Sequence, residues 1–171
     1  DFSHYGQRLR IIGNLPYNIS TPLLFHLAQF RAQIQDLHFM LQKEVIDRMI
    51  ANPGTTAFGR LSVMLQYWFT MEKLLEVPAE AFHPKPKVES AIIRMVPKLT
   101  IPSAINESEL SCLVKAAFSQ RRKTLRNTLK GTINPVLFSQ AEIDSGLRAE
   151  DLSVSDYVRL ANLLTTSQNR N

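Results

Sequence analysis

Asn14-Leu15-Pro16-Tyr17 stands directly behind the short apolar run Leu9-Arg10-Ile11-Ile12-Gly13. These residue types suit one chemical task, gripping an amino group on a flat base. An exocyclic amine is a poor nucleophile because its lone pair is delocalised into the ring. Held between two acceptors, the nitrogen becomes more tetrahedral, and the positive charge that grows as an electrophile arrives is stabilised. The Asn14 side-chain oxygen can accept one N–H. Pro16 fixes its own φ and drives Leu15 towards an extended conformation, which aims a carbonyl of Leu15 or Pro16 at the second N–H. Tyr17 offers a flat face, and base stacking of this kind is worth roughly 1–3 kcal/mol. A strand end, a tight turn and a helix cap would use the same residues. The position favours the base-gripping reading, since a strand precedes and Asn18-Ile19-Ser20-Thr21-Pro22 opens a helix.

The elements that must position this motif read as an alternation of strands and helices. A strand is predicted over 9–13, and a helix after it with Ser20 or Thr21 as cap and Pro22 in the first turn. A second strand is predicted over 37–41, followed by a helix through Val45, Ile46 and Met49 that Asn52-Pro53-Gly54 stops. The stretch 60–69 reads as helix and 74–77 as strand. Phe82-His83-Pro84-Lys85-Pro86-Lys87 is a loop, because its prolines block helix and central-strand pairing. The stretch 88–96 alternates as a strand that would pair with 74–77 as an antiparallel edge. This order argues for an α/β sheet covered by helices over residues 1–98. From Asn106 on, Leu110, Leu113, Val114, Ala117 and Phe118 follow helical spacing, and so do Tyr157, Leu160, Ala161 and Leu164 behind a Ser153 cap with Asp156 three residues on. Residues 99–171 therefore read as a small all-helical domain after a linker.

Composition narrows the partners. The chain has 171 residues, 44% of them hydrophobic, and no apolar run long enough for a membrane span. Its single cysteine, Cys112, excludes an internal disulfide framework and fits a reducing cytoplasm; it is expected to be buried or half-buried beside an apolar helix face. His4, His26, His38 and His83 have no metal-ligand spacing, so no metal site is expected. Trp68 reads as core. The net charge is +5, and the basic residues cluster. Between Glu109 and Glu142 there is no acidic residue, while Lys115, Arg121, Arg122, Lys123, Arg126 and Lys130 fall there. A one-signed block suggests a polyanion. If the segment is helical, Arg122, Arg126 and Lys130 share one face.

Five motifs carry a resemblance that spans essentially the whole chain. Gly13-Asn14-Leu15-Pro16-Tyr17-Asn18-Ile19-Ser20-Thr21-Pro22 resembles the substrate motif of the rRNA adenine N6-dimethyltransferases of the small-subunit type. Phe39-Met40-Leu41-Gln42-Lys43-Glu44-Val45 with Gly59-Arg60-Leu61-Ser62-Val63, Phe82 through Ser90, and Phe118 through Asn127 continue it in order. The resemblance implies the C-terminal part of a Rossmann-like methyltransferase sheet followed by the helical domain. It implies S-adenosylmethionine as methyl donor and dimethylation of two adjacent adenosines near the 3′ end of small-subunit (16S) rRNA, on a 30S ribosomal precursor. By position it implies that Asn14, Leu15, Pro16 and Tyr17 hold the target adenine, with Asn14 also facing the cofactor, and that Phe82 is the second aromatic wall. Arg121, Arg122, Lys123, Arg126 and Lys130 would contact RNA, with Lys85 and Lys87 extending that surface near the pocket.

The family's Gly-rich cofactor loop and its acidic residues for the ribose and adenine have no counterpart here, since Gly6 and Gly13 cannot form a G-x-G-x-x-G turn. The expectation is a chain that carries the acceptor half of a site and lacks the N-terminal cofactor-binding half, inactive on its own. Other readings stay open: a DNA adenine methyltransferase with an Asn-Pro-Pro-Tyr type motif, an enzyme of large-subunit rRNA, and a non-catalytic RNA-binding or assembly module. Leu15 and the basic tail favour RNA over DNA, and Gln120-Arg121-Arg122-Lys123-Thr124 favours the small-subunit type.

Overall fold

A computed structural model describes residues 3–6, 8–98 and 104–169. The chain divides into two compact units, Asp1–Ala51 with Leu65–Leu99, and Asn52–Met64 with Thr100–Asn171. A boundary drawn once along the chain, at 98/99, does not represent the return of 52–64 to the second unit.

The first unit is built on a four-stranded sheet of β1 (Leu9–Asn14), β2 (Ile34–Gln42), β3 (Phe69–Val77) and β4 (Ser90–Pro97), in the order β1-β2-β4-β3. β1 and β2 are parallel, with Ile12 opposite His38 and Asn14 opposite Met40. A parallel pair needs a crossover, which contains helix α1 (Ser20–Ala28). β4 runs antiparallel to both β2 and β3, so the edge pairing of the last two strands is as their sequences imply.

Alternation assigns the faces. Leu37, Phe39 and Leu41 of β2 and Ala91, Ile93 and Met95 of β4 are 1% exposed or less. Helix α2 (Lys43–Met49) packs on β2, β3 and β4 and buries Ile46 and Met49. The opposite face carries Arg10, Ile12 and Asn14 beside His38, Met40, Ile92 and Arg94.

Three local expectations are corrected. The cap of α1 is Ile19, with no side-chain bond; Ser20 is already helical and donates its hydroxyl to the Tyr17 carbonyl at 3.1 Å. The turn closes early because the Ile19 N–H reaches the Pro16 carbonyl at 3.2 Å. Strand β3 starts at Phe69, where helix α3 (Arg60–Trp68) ends, rather than at residue 74. A register shift between Lys73 and Leu75 leaves Leu74 and Leu75 both exposed, which breaks the alternation a sequence reader needs. Cys112 is exposed. At 100° per residue it lies nearly opposite the buried stripe of Leu110, Leu113, Val114 and Ala117. Trp68 sits at the core edge, edge-on to Phe25 with ring centroids 5.8 Å apart.

Four charges tie α2 to β3. Lys43 reaches Asp47 at 2.9 Å, and Lys73 reaches Asp47 at 3.3 Å and Glu76 at 2.6 Å. The hydrogen bond from Lys43 holds the Asp47 carboxyl below its ordinary range, and that from Lys73 does the same for Glu76. A lowered carboxyl stabilises the fold at neutral pH and loses that contribution as pH falls through its folded value. Amide-exchange protection in β3 is therefore expected to weaken on acidification through the carboxylate range, and Lys73→Ala is expected to blunt that dependence. Equal pH dependence in the variant would refute the role.

The second unit contains α4 (Glu107–Ala117), α5 (Leu125–Thr128), α6 (Pro135–Gln140) and α7 (Val154–Gln168). Asn106 caps α4 by accepting from the Ser108 and Glu109 amides at 3.0 and 3.1 Å. Ser153 and Asp156 form the expected reciprocal cap of α7. Tyr157 is buried and donates its hydroxyl to the Ala149 carbonyl at 2.7 Å, with its pKa pushed up by burial. Phe58 stacks obliquely on Phe118 at 6.5 Å, and Phe118 on Tyr157 at 6.1 Å. These rings make 52–64 part of the helical core.

Candidate active site and basic surface

β1 ends at Asn14, at the carboxyl end of a parallel strand, where open α/β sheets place their ligands. The Leu15 amide still donates to the Met40 carbonyl at 3.1 Å, so the strand register carries one residue further. The Leu15 side chain turns into the core. Tyr17 stays 42% exposed, and its hydroxyl lies 3.3 Å from Ser90 Oγ. Past the turn Ala79–Ala81, Phe82, Pro84 and Pro86 close the other side. Asn14, Leu15, Pro16, Tyr17, Phe82, Pro84, Pro86 and Ser90 together line one pocket of about 300 Å³. That is the small end of ligand-pocket sizes.

The structure thus brings the four motif residues and Phe82 to one concavity. Asn14 is exposed, and its side chain makes no hydrogen bond to another described residue. The Pro16 carbonyl is engaged by Ile19, which leaves the Leu15 carbonyl as the less committed of the two acceptors. The Tyr17 and Phe82 rings are not in contact with each other. Such a pocket offers a neutral amide and two aromatic rings, with no carboxylate or histidine among its described lining residues.

Asn14 also borders a second depression, on the open sheet face, with Arg10, Ile12, His38, Met40, Ile92 and Arg94. Asp36 is buried there at 2% exposed; it holds Arg10 at 3.1 Å and lies 3.5 Å from His38 Nδ1. Nothing in the sequence signalled this trio. Asp36 pairs opposite Arg10, at the far end of β1 from Asn14, so it cannot serve a ribose at the Asn14 end. Among the described residues, neither depression is lined by a carboxylate that could hold an adenosyl group. The chain is therefore expected to bind S-adenosylmethionine far more weakly than a full-length relative does. Titration calorimetry with equal affinities would overturn that.

The basic segment is not one helix. α4 stops at Ala117, Lys123 N–H closes a turn on Gln120, and Thr124 is extended, bridged to Arg148. Leu125 and Arg126 then donate to the carbonyls of Leu147 and Ser145 at 2.8 and 2.9 Å. The single-face arrangement of Arg122, Arg126 and Lys130 is thus overturned: backbone pairing with 145–148 outcompetes helix continuation and confines α5 to one turn. Arg122, Lys123, Arg126 and Lys130 are exposed, without an ion pair among the described residues. The same pairing sets exposed Arg148 beside them, which only a long-range contact could reveal. Arg121 differs, because its guanidinium donates to the Thr56 carbonyl and lies 3.5 Å from Glu150. In the other unit, Lys85 is paired with Glu80, whose carboxyl it holds below the ordinary range, and Lys87 is exposed. Among the described residues no cluster of His, Cys, Asp or Glu could hold a metal, and no helix is long and apolar enough to cross a membrane.

The architecture has known counterparts. It matches a crystal structure of a dimethyladenosine transferase from Plasmodium falciparum at TM-score 0.76 and 27% identity, over 88% of this chain and 64% of that one. It also matches the 23S rRNA methyltransferase ErmE at TM-score 0.67 and 19% identity, over 93% of this chain and 66% of that one. The fold is that of the Rossmann-like methyltransferases. Within that class the chain belongs to the ribosomal RNA adenine dimethylase family, whose model matches residues 2–166. The "Ribosomal RNA small subunit methyltransferase A" of Dechloromonas aromatica is 54% identical over 166 residues. That alignment takes in 96% of this chain and 65% of the relative, so the chain spans just under two thirds of the relative's length.

Proposed function

We propose that this chain supplies the adenine-accepting part and the RNA-binding helical unit of an enzyme that dimethylates N6 of two adjacent adenosines near the 3′ end of 16S rRNA during ribosome assembly. The observation that carries the reading is the convergence of Asn14, Tyr17 and Phe82 on one pocket at the end of a parallel strand. S-adenosylmethionine, when bound by the whole protein, supplies an electrophilic methyl group. Asn14 Oδ1 and the Leu15 carbonyl accept the two N6 hydrogens and leave the nitrogen lone pair directed out of the ring plane. Tyr17 and Phe82 hold the base by stacking, which is sequence-tolerant, so choice of adenosine falls to the amino-group acceptors and to RNA shape. Arg122, Lys123, Arg126, Lys130 and Arg148 neutralise phosphates and set the register. The names of the curated relatives and the Gln120–Thr124 segment support small-subunit rRNA over large-subunit rRNA or DNA.

The test uses the full-length protein, labelled S-adenosylmethionine and small subunits isolated without the modification. Nuclease digestion and mass spectrometry are expected to find N6,N6-dimethyladenosine at two neighbouring positions near the 3′ end. Label confined to large-subunit rRNA or DNA would reassign the substrate. RNA binding with no label would leave a non-catalytic assembly module.

A further inference from the structure

The hydroxyl of Ser90 has no role in the chemistry above. It belongs to one of the few buried polar residues among the described ones, at 2% exposed, alongside Ser20, Asp36, Ser62 and Thr165. Ser90 opens β4, where its backbone neighbours are Gln42 of β2 and Val77 of β3, so it sits on an inner strand gripped from both sides. A buried hydroxyl is costly without a partner. Among the described residues its only side-chain partner is the Tyr17 hydroxyl at 3.3 Å, across 73 positions of sequence. Tyr17 itself is half out in solvent on a turn, and its ring would otherwise be free to swing about χ1. The two residues line the same pocket.

We propose that Ser90 is a positioning residue for the adenine pocket, fixing the Tyr17 ring against the rigid inner strand so that the base is held at the angle that presents its amine to Asn14. This rests on the adenine-accepting reading of the pocket. Asn14 and Ser90 line the pocket from two different strands, and the bond to Ser90 ties the turn that carries Tyr17 to the sheet. Without the bond Tyr17 still stacks, but over a wider range of tilts, and fewer bound complexes are reactive. The consequence is a lower turnover at unchanged substrate affinity, because the ring still stacks on the base and the phosphate contacts are untouched.

The experiment is a double-mutant cycle in the full-length protein, using Ser90→Ala, Tyr17→Phe and the pair, with kcat and KM measured on unmodified small subunits. Each single variant is expected to lower kcat about tenfold with KM unchanged, on the scale of one lost hydrogen bond. The pair is expected to be no worse than either one, since both remove the same bond. Tyr17→Phe deletes the bond from the exposed side and keeps the ring, so the proposal stays testable if Ser90→Ala folds poorly. Multiplicative losses in the pair, a kcat unchanged in Tyr17→Phe, or a rise in KM alone would each overturn it. A wild-type protein that leaves adenine N6 unmodified would sink the pocket reading instead, which is a separate outcome.

Discussion

In the full-length protein, Asn14→Ala is expected to cut methyl transfer by about 10²–10³-fold while leaving affinity for the RNA unchanged. Among the described residues Asn14 is the one amide side chain lining the pocket, and it stands exposed at the strand end with no hydrogen-bond partner. An acceptor preorganised by a strand costs no reorganisation when charge develops on the amine, which is why its loss falls on the chemical step. On the proposed function, Tyr17 and Phe82 still stack the base in this variant and the second unit still binds the phosphates. Asn14→Asp is also informative, since a carboxylate accepts hydrogen bonds but adds a full charge. Single-turnover rates on saturating substrate read the effect directly. Unimpaired turnover in Asn14→Ala would remove the proposed amine-gripping mechanism altogether.

The second large effect belongs to the other unit. Arg122→Ala with Lys123→Ala is expected to weaken RNA binding about tenfold at moderate salt. It is also expected to flatten the plot of log affinity against log salt by about 1.4–1.8, the release of counterions from two phosphates. Both side chains are exposed and have no ion pair among the described residues, so little folding energy is lost with them. Arg121→Ala makes the contrast. Its guanidinium is committed to Thr56 and Glu150, so the expected result is a loss of about 1 kcal/mol of stability with the salt slope nearly unchanged. Filter binding across a salt series, paired with thermal melts, separates the two. A steep drop in slope for Arg121→Ala would make it a phosphate contact after all.

The sheet was readable wherever burial alternates. Leu37, Phe39 and Leu41 announce β2, and Ile93 and Met95 announce β4. Reading failed where a local rule was overridden from a distance. Phe69-Thr70-Met71-Glu72-Lys73 contains helix-tolerant residues and became strand because β4 pairs with it. Thr124 left the helical path because Arg148 lies alongside. In the pocket, Asn14, Tyr17 and Phe82 were legible as motif and proline-flanked aromatic. Ser90 and Arg148 were not, since each takes its meaning from one partner far along the chain. Cys112 is a different case, because helical arithmetic alone puts it opposite the apolar stripe.

Residues 52–64 return to the helical unit, with Phe58 against Phe118 and the Gly54 amide on the Glu150 carbonyl at 2.8 Å. That unit is consequently a discontinuous module. A recombination event that swapped everything beyond residue 99 between two related genes would import a Phe118 and a Glu150 without the loop they fit. The chimera would inherit a mismatched core inside the imported half. Exchange of the helical unit between relatives therefore requires residues 52–64 to travel with it.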